Sequence, residues 1–325
     1  MSYPTISPGK RLLRIVLAAA GLGAAAALWA EDAPAPEQVD ELTEVIVSVP
    51  EPRYVAPTQR DRIGRVWVPV TINGQGPFRL VLDSGAMRTA VNPRVAQALG
   101  IPLDRSPPVM LRGVTGSAVA PTIEVDNISV GDLSVGPAVL PIVADAFGGA
   151  EGLLGMYGME NKRIYIDFRN DFINVSLSRN RRADSGFEVI PFIDDPLQLL
   201  VVRARIGGLP VRAIIDTGAQ TTFGNEALRF ALLRQINRQV PSKDEITGAT
   251  GDTQTGLGAQ IARIGLGSIE VRDAHVTFGD MHIFERWNIG DEPALVIGMD
   301  VLGLVDTLVI DYHRRELHIK PRRGK

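Results

Sequence analysis

The 325-residue chain has no cysteine. That excludes disulfide stapling, thiolate catalysis, a cysteine-ligated metal and a lipid anchor on a terminal cysteine in one step. It does not exclude export, because a chain of this length with 45% hydrophobic residues builds cores that need no covalent staples. Charge of one sign is missing too: a net charge of -3 and a pI near 5.9 give no electrostatic reason to expect nucleic acid, which leaves polypeptides, proteins or small molecules as partners. The four histidines (His275, His282, His313, His318) show no His-Glu-x-x-His spacing, and neither a Gly-x-Ser-x-Gly elbow nor a Walker-type Gly-Lys-Ser/Thr occurs. Each histidine is expected at the surface or in a turn, and no metal or cofactor is expected.

Near the start, Lys10, Arg11 and Arg14 precede the apolar run Ile15 to Ala30, which ends before Glu31-Asp32. That is the order of a secretory signal. Counted from Leu12, the run reaches 19 residues and just spans a bilayer, so an uncleaved anchor stands as the alternative for residues 1–30. Either outcome puts the body of the protein outside the cytoplasm, in the periplasm or anchored in the inner membrane and facing it, with no other membrane contact expected. Residues 31–62, rich in proline and acidic residues, read as a linker.

The remainder is short β-type runs broken by Gly, Pro, Asn and Asp. Val66 to Ile72, the turn Asn73-Gly74 and Phe78 to Leu82 form a hairpin, and the fold class is all-β. Two helices are expected, Asn92 to Leu99 and Asn225 to about Gln239, each opening on an asparagine suited to capping. The chain also lies over itself. At an offset of 133, Gly74, Asp83, Gly85, Ala86, Thr89 and Asn92 fall on Gly207, Asp216, Gly218, Ala219, Thr222 and Asn225. Gly113 to Gly116 then falls on Gly248 to Gly251, Leu153-Leu-Gly155 on Val296-Ile-Gly298, and Ile166-Asp-Phe168 on Ile310-Asp-Tyr312. Offsets that only grow mean loop insertions in a duplicated unit. Two homologous lobes are therefore expected, residues 63–180 and 197–325, joined by a linker at 181–196.

In both halves an apolar strand ends in an acidic group and a glycine: Leu-Val-Leu-Asp83-Ser84-Gly85 and Ala-Ile-Ile-Asp216-Thr217-Gly218. An unpaired carboxylate beside a buried strand costs several kcal/mol, of the order of the desolvation of a polar group. Two carboxylates held close together offset that cost by sharing one proton, so that one acts as general base on a water and the other hydrogen-bonds the carbonyl under attack. Such a pair hydrolyses peptide bonds without metal, thiol or cofactor. Asp184-Ser-Gly186 follows Arg-Arg-Ala instead of an apolar strand and is assigned to the linker.

These residues resemble tandem copies of the retropepsin-like aspartic protease unit, in a bacterial form, over roughly residues 65 to 320. The resemblance implies two β-barrel lobes with an active-site cleft between them, a polypeptide substrate, and Asp83 and Asp216 as the catalytic dyad. Ser84, Gly85, Thr217 and Gly218 would support it. Gly113, Val114, Thr115 and Gly116, with Gly248, Ala249, Thr250 and Gly251, would be flap tips over the substrate. Both motifs end in alanine (Ala86, Ala219), where pepsin-like enzymes place a hydroxyl that lowers the carboxylate pKa, so the expected optimum is weakly acidic to neutral. Gly298-Met-Asp-Val-Leu302 matches the family's continuation into a helix, whereas Gly155-Met-Tyr-Gly-Met159 is eroded and the first lobe is expected to be looser there. Three functional readings stay open on sequence alone: a monomer using both lobes, a homodimer pairing one lobe's Asp with its copy, and a catalytically silent peptide-binding envelope module.

Overall fold

The computed structural model describes residues 54–57, 59–60, 64–130, 133–145, 147–195, 197 and 199–322, with the backbone alone described for 54–57, 59–60 and 133. The signal or anchor at 1–30 and most of the 31–62 linker lie outside the described residues.

Alternation decides the first hairpin. In Val66–Ile72 the inward residues Val66, Val68, Val70 and Ile72 are buried, and the residues between them are half-buried. Asn73 and Gly74 take left-handed φ of 50° and 74°, the pair of positive values a two-residue hairpin turn requires, and the chain returns as Gln75–Leu82. The end of that strand stops alternating: Leu80, Val81 and Leu82 are all buried. The cause is packing on both faces: Leu80 and Leu82 join the main core, while Val81 joins a second cluster with Phe147, Ala150 and Leu153.

The first lobe builds one sheet in the order Ala90–Val91, Gly152–Leu154, Gln75–Leu82, Val66–Ile72, Ile128–Val130, Leu133–Val135, with Gln59–Arg60 against Val66–Ile72. A three-stranded sheet of Ala138–Pro141, Ser117–Val125 and Ser106–Arg112 completes it. In the second lobe seven strands run in the order Val201–Ile206, Leu209–Ile215, Ala294–Ile297, Phe223–Gly224, Ile269–Phe278, Thr253–Leu266, Ser242–Thr247. Val201–Ile206 also pairs with Thr253–Leu266, which closes the sheet on itself.

A six-stranded antiparallel sheet joins the lobes, in the order Tyr54–Pro57, Phe172–Leu177, Lys162–Asp167, Thr307–Asp311, Glu316–Lys320, Glu188–Pro191. At its centre Ile164 pairs with Ile310 and Ile166 with Leu308. These pairings exchange positions related by the repeat, so Tyr165 and Val309, which face each other, mark a local two-fold axis.

Two boundaries differ from expectation. Tyr54–Pro57 and Gln59–Arg60, read as the end of a linker, are strands, and the inter-lobe linker contains the strand Glu188–Pro191. Tyr54–Pro57 and Glu188–Pro191 are edge strands whose partners are distant in sequence. The helices follow their caps. Asn92 Oδ1 accepts from Val95 N at 3.3 Å to open Pro93–Leu99, which ends at Gly100 with φ 69°. Asn225 Oδ1 accepts from Leu228 N at 2.9 Å, but the expected single helix is broken at Leu232 into Glu226–Ala231 and Leu233–Ile236. One helix was not expected, His282–Arg286, whereas Met299–Leu302 is the helical continuation that the resemblance implies. His318 departs from its expected surface position: it is fully buried, with Nε2 2.9 Å from Glu316 Oε2. No helix among the described residues is long and apolar enough to cross a membrane.

Candidate active site

Each acidic loop is hung from the strand that carries the later glycine. Asp83 N donates to Leu154 O at 3.0 Å and Asp216 N to Ile297 O at 3.1 Å. Gly155 and Gly298 follow because a side chain there would run into the backbone of Arg88 and of Thr221, respectively. The apolar-apolar-Gly element is thus a seat for the loop, with no polar side chain of its own.

The two loops bind each other through their hydroxyls. Ser84 N donates to Thr217 Oγ1 at 3.0 Å and Thr217 N to Ser84 Oγ at 3.0 Å. Ser84 Oγ donates onward to Ile215 O at 2.8 Å, and Thr217 Oγ1 to Leu82 O at 2.8 Å. All four groups are buried, so each bond replaces one that water cannot supply. Gly85 and Gly218 are the points of closest approach. A methyl on Gly85 would lie 2.6 Å from Asp216 Oδ2, and one on Gly218 would collide with the Asp83 carboxyl.

Each carboxyl therefore lies against the glycine of the opposite loop. Burial and then the charge of Asp216 hold the Asp83 carboxyl well above the ordinary carboxylate range. Asp216 is also raised by burial, but backbone N–H groups oppose the shift: Ala219 N and Gly218 N donate to its Oδ1 at 3.0 and 2.9 Å. Asp216, though the more buried of the two, accepts more backbone hydrogen bonds, and Asp83 is raised further and holds a proton more readily.

The predicted flap residues sit at hairpin tips that cross between lobes. Gly113 N donates to Gly116 O at 2.8 Å, and Gly248 N to Asp252 O at 3.0 Å. Val114 packs against the second lobe's cluster around Leu199, Ile214 and Phe223, while Ala249 packs against the first lobe's cluster around Val81, Phe147 and Leu153. The tips interlock: Thr115 Oγ1 donates to Asp252 O at 2.9 Å, and Gly248 has no room for a side chain beside Thr115. Thr250 lies against Gly113, and Gly251 against Ala144. Beneath them is a cleft of about 900 Å³ whose walls include both aspartates, Gly85, Gly218, Val114 and Ala249.

Sequence reasoning missed the helix His282–Arg286, whose Ile283 N donates to Val114 O at 3.2 Å and whose Arg286 and neighbour Trp287 line the cleft. Five residues without a capping side chain left no signal for it. No cluster of three or more metal-ligating side chains occurs among the described residues.

Tandem barrels with an aspartate at the end of one strand in each are the architecture of a two-lobed aspartic protease. The family model described as "Aspartyl protease" matches residues 68–157 and 202–301, together more than half of the chain, and the chain belongs to that family. Its activity is that of an aspartic-type endopeptidase acting on polypeptides. Among solved structures, a retropepsin-like aspartic protease from Rickettsia conorii is similar at 20% identity over 39% of this chain and 92% of its own, with a TM-score of 0.32. No curated protein matches.

Proposed function

We propose that one chain forms the whole active site, with Asp83 and Asp216 as a dyad that shares one proton. The observation that carries this is the reciprocal Ser84–Thr217 hydrogen bonding, which joins the loops within a single polypeptide. A water between the carboxyls gives a proton to the Asp216 carboxylate as its oxygen attacks the peptide carbonyl carbon, and Asp83 gives its proton to the carbonyl oxygen. The tetrahedral diol then collapses: its C–N bond breaks, the leaving nitrogen takes the proton held by Asp216, and a diol hydroxyl returns one to Asp83. The flap tips exclude bulk water while this happens.

The alanines after each motif keep both carboxyls free of a further hydroxyl donor, so activity peaks at weakly acidic to neutral pH. Export is part of the proposal and rests on the basic residues Lys10, Arg11 and Arg14 ahead of the apolar run Ile15 to Ala30. Cell fractionation with mass determination of the mature N-terminus checks it.

The test is cleavage of a mixed peptide library by the full chain from pH 3 to 8, with molecular mass measured by light scattering. The expected result is cleavage by a monomer, lost by about 10²–10⁴-fold or more in Asp83→Ala and in Asp216→Ala alike. If only one substitution matters and the active species is a dimer, the single-chain dyad is wrong. A folded wild type that cleaves nothing at any pH would leave a silent peptide-binding module in its place.

A further inference from the structure

The cleft walls are unequal in charge although the repeat that builds them is shared. Among the lining positions whose repeat equivalents also line the cleft, three differ in charge: Arg88 corresponds to Thr221, Arg112 to Thr247 and Met110 to Glu245. Arg286 adds another guanidinium. Arg112 and Arg286 lie on the strand and helix joined by the Ile283 N to Val114 O bond, whereas Arg88 lies on the first lobe's loop beyond Asp83. All three side chains are exposed, and none meets a carboxylate among the described residues. Arg212, by contrast, pairs with Asp195 and Glu292, and Arg314 with Glu316.

Apart from the dyad, Glu245 is the one acidic side chain in the described walls of the cleft. With the dyad holding one proton, the cleft is positive inside a protein whose net charge is -3. A concave site with low-dielectric walls focuses that field onto whatever enters. Between the guanidinia the lining is apolar, through Met87, Leu111, Phe147 and Trp287.

We infer that the cleft takes polypeptide segments whose acidic side chains flank an apolar scissile pair, and that Arg88, Arg112 and Arg286 select them; this rests on the protease reading above. An extended peptide under the flaps presents its flanking carboxylates to guanidinium forks, which bind carboxylate through two parallel N–H···O bonds. A lysine at the same place brings like charge into a desolvated cleft and is rejected. Selection weakens with salt, because the guanidinia are exposed.

The test uses three fluorogenic peptides with one apolar centre and flanking Glu, Gln or Lys, assayed with the full chain at low and high salt. The expected order of kcat/KM is Glu over Gln over Lys, with about tenfold or more between the ends at low salt, the scale of one charge-assisted contact. In Arg88→Thr/Arg112→Thr/Arg286→Ala, which puts the second half's residues at two positions, the Glu-to-Lys ratio falls to near one. The single variant Arg88→Thr lowers the ratio partway and serves if the triple variant misfolds in a thermal melt. Equal cleavage of all three peptides by the wild type, or a preference that survives the triple substitution, overturns the inference and leaves the protease reading standing. If no peptide is cleaved, the protease reading fails, and fluorescence anisotropy with the same peptides decides the inference: tighter binding of the Glu peptide supports it and equal binding overturns it.

Discussion

The two lobes start their final segment alike and finish it differently. Met156 N donates to Ala86 O and Met299 N to Ala219 O, both at 2.9 Å. Gly155 N donates to Thr89 Oγ1 at 3.2 Å and Gly298 N to Thr222 Oγ1 at 3.1 Å. Beyond that point the second lobe forms the helix Met299–Leu302, and Asp300 accepts from both Thr222 Oγ1 at 2.7 Å and Thr222 N at 2.9 Å. The first lobe has Tyr157, 63% exposed, where Asp300 would be, and Gly158 at φ 85° where a helical Val301 would be. A left-handed residue ends a helix before it begins. In its place is an apolar cavity of about 230 Å³ lined by Thr89, Leu154, Tyr157 and Met159, among others. The asparagine caps differ in the same sense. Asn225 Nδ2 lies within hydrogen-bond reach of the carbonyls of Ile289, Gly290 and Glu292, whereas Asn92 Nδ2 is buried without a partner among the described residues. A duplicated core can keep its shared chemistry while one copy loses the polar links around it.

The largest test of equality between lobes concerns the glycines that touch the opposite carboxyl. Gly85→Ala and Gly218→Ala should each reduce kcat/KM by about 10²-fold, the scale of a 1 Å misplacement in a reacting site. Retained activity in either would mean that its carboxyl can move aside. Next, the lobes should diverge in stability: Asn225→Ala removes a cap together with the amide's donation to the 289–292 carbonyls and is expected to cost about 1–3 kcal/mol beyond Asn92→Ala, measured by urea unfolding. Equal costs would contradict the difference in satisfaction. Asp300→Ala should destabilise by about 1–3 kcal/mol through the two bonds to Thr222, while Tyr157→Ala at the equivalent position should stay within about 0.5 kcal/mol.

The smallest effect is a pH dependence. The folded Asp83 carboxyl keeps its proton at pH values where the unfolded chain has released it, so folding is opposed increasingly as pH rises above about 4. Asp83→Asn should therefore melt at a higher temperature than wild type at pH 7, by about 2–4 °C for each kcal/mol relieved, with the gap closing toward pH 4. Identical melting curves at both pH values would show that ionising the pair costs the fold nothing.

The repeat made much of this legible. Asp83 and Asp216, the glycines beside them and both flap tips stand at fixed offsets, and a strand that ends in Asp-Ser/Thr-Gly needs no partner sequence to be conspicuous. What stayed hidden depends on distant pairing. Tyr54–Pro57 looks like a proline-rich leader until Phe172–Leu177 lies beside it, and Glu188–Pro191 looks like a linker until Glu316–Lys320 does. His318 reads as polar surface, yet Glu316 and the edge of Phe187 receive it in the interior. The arginines of the cleft come from a loop, a flap and a helix, and no local pattern unites them.

The antiparallel pairing of Lys162–Asp167 with Thr307–Asp311 carries a last consequence. Two copies of a half-enzyme meeting through such strands would separate on dilution and would have to present every residue twice. In the single-chain site proposed above, the tethered halves face each other at a fixed effective concentration, and the cleft would persist at any expression level. The same tether frees each half to drift, which is how an arginine can stand opposite a threonine across a single cleft and give a bound chain a preferred direction.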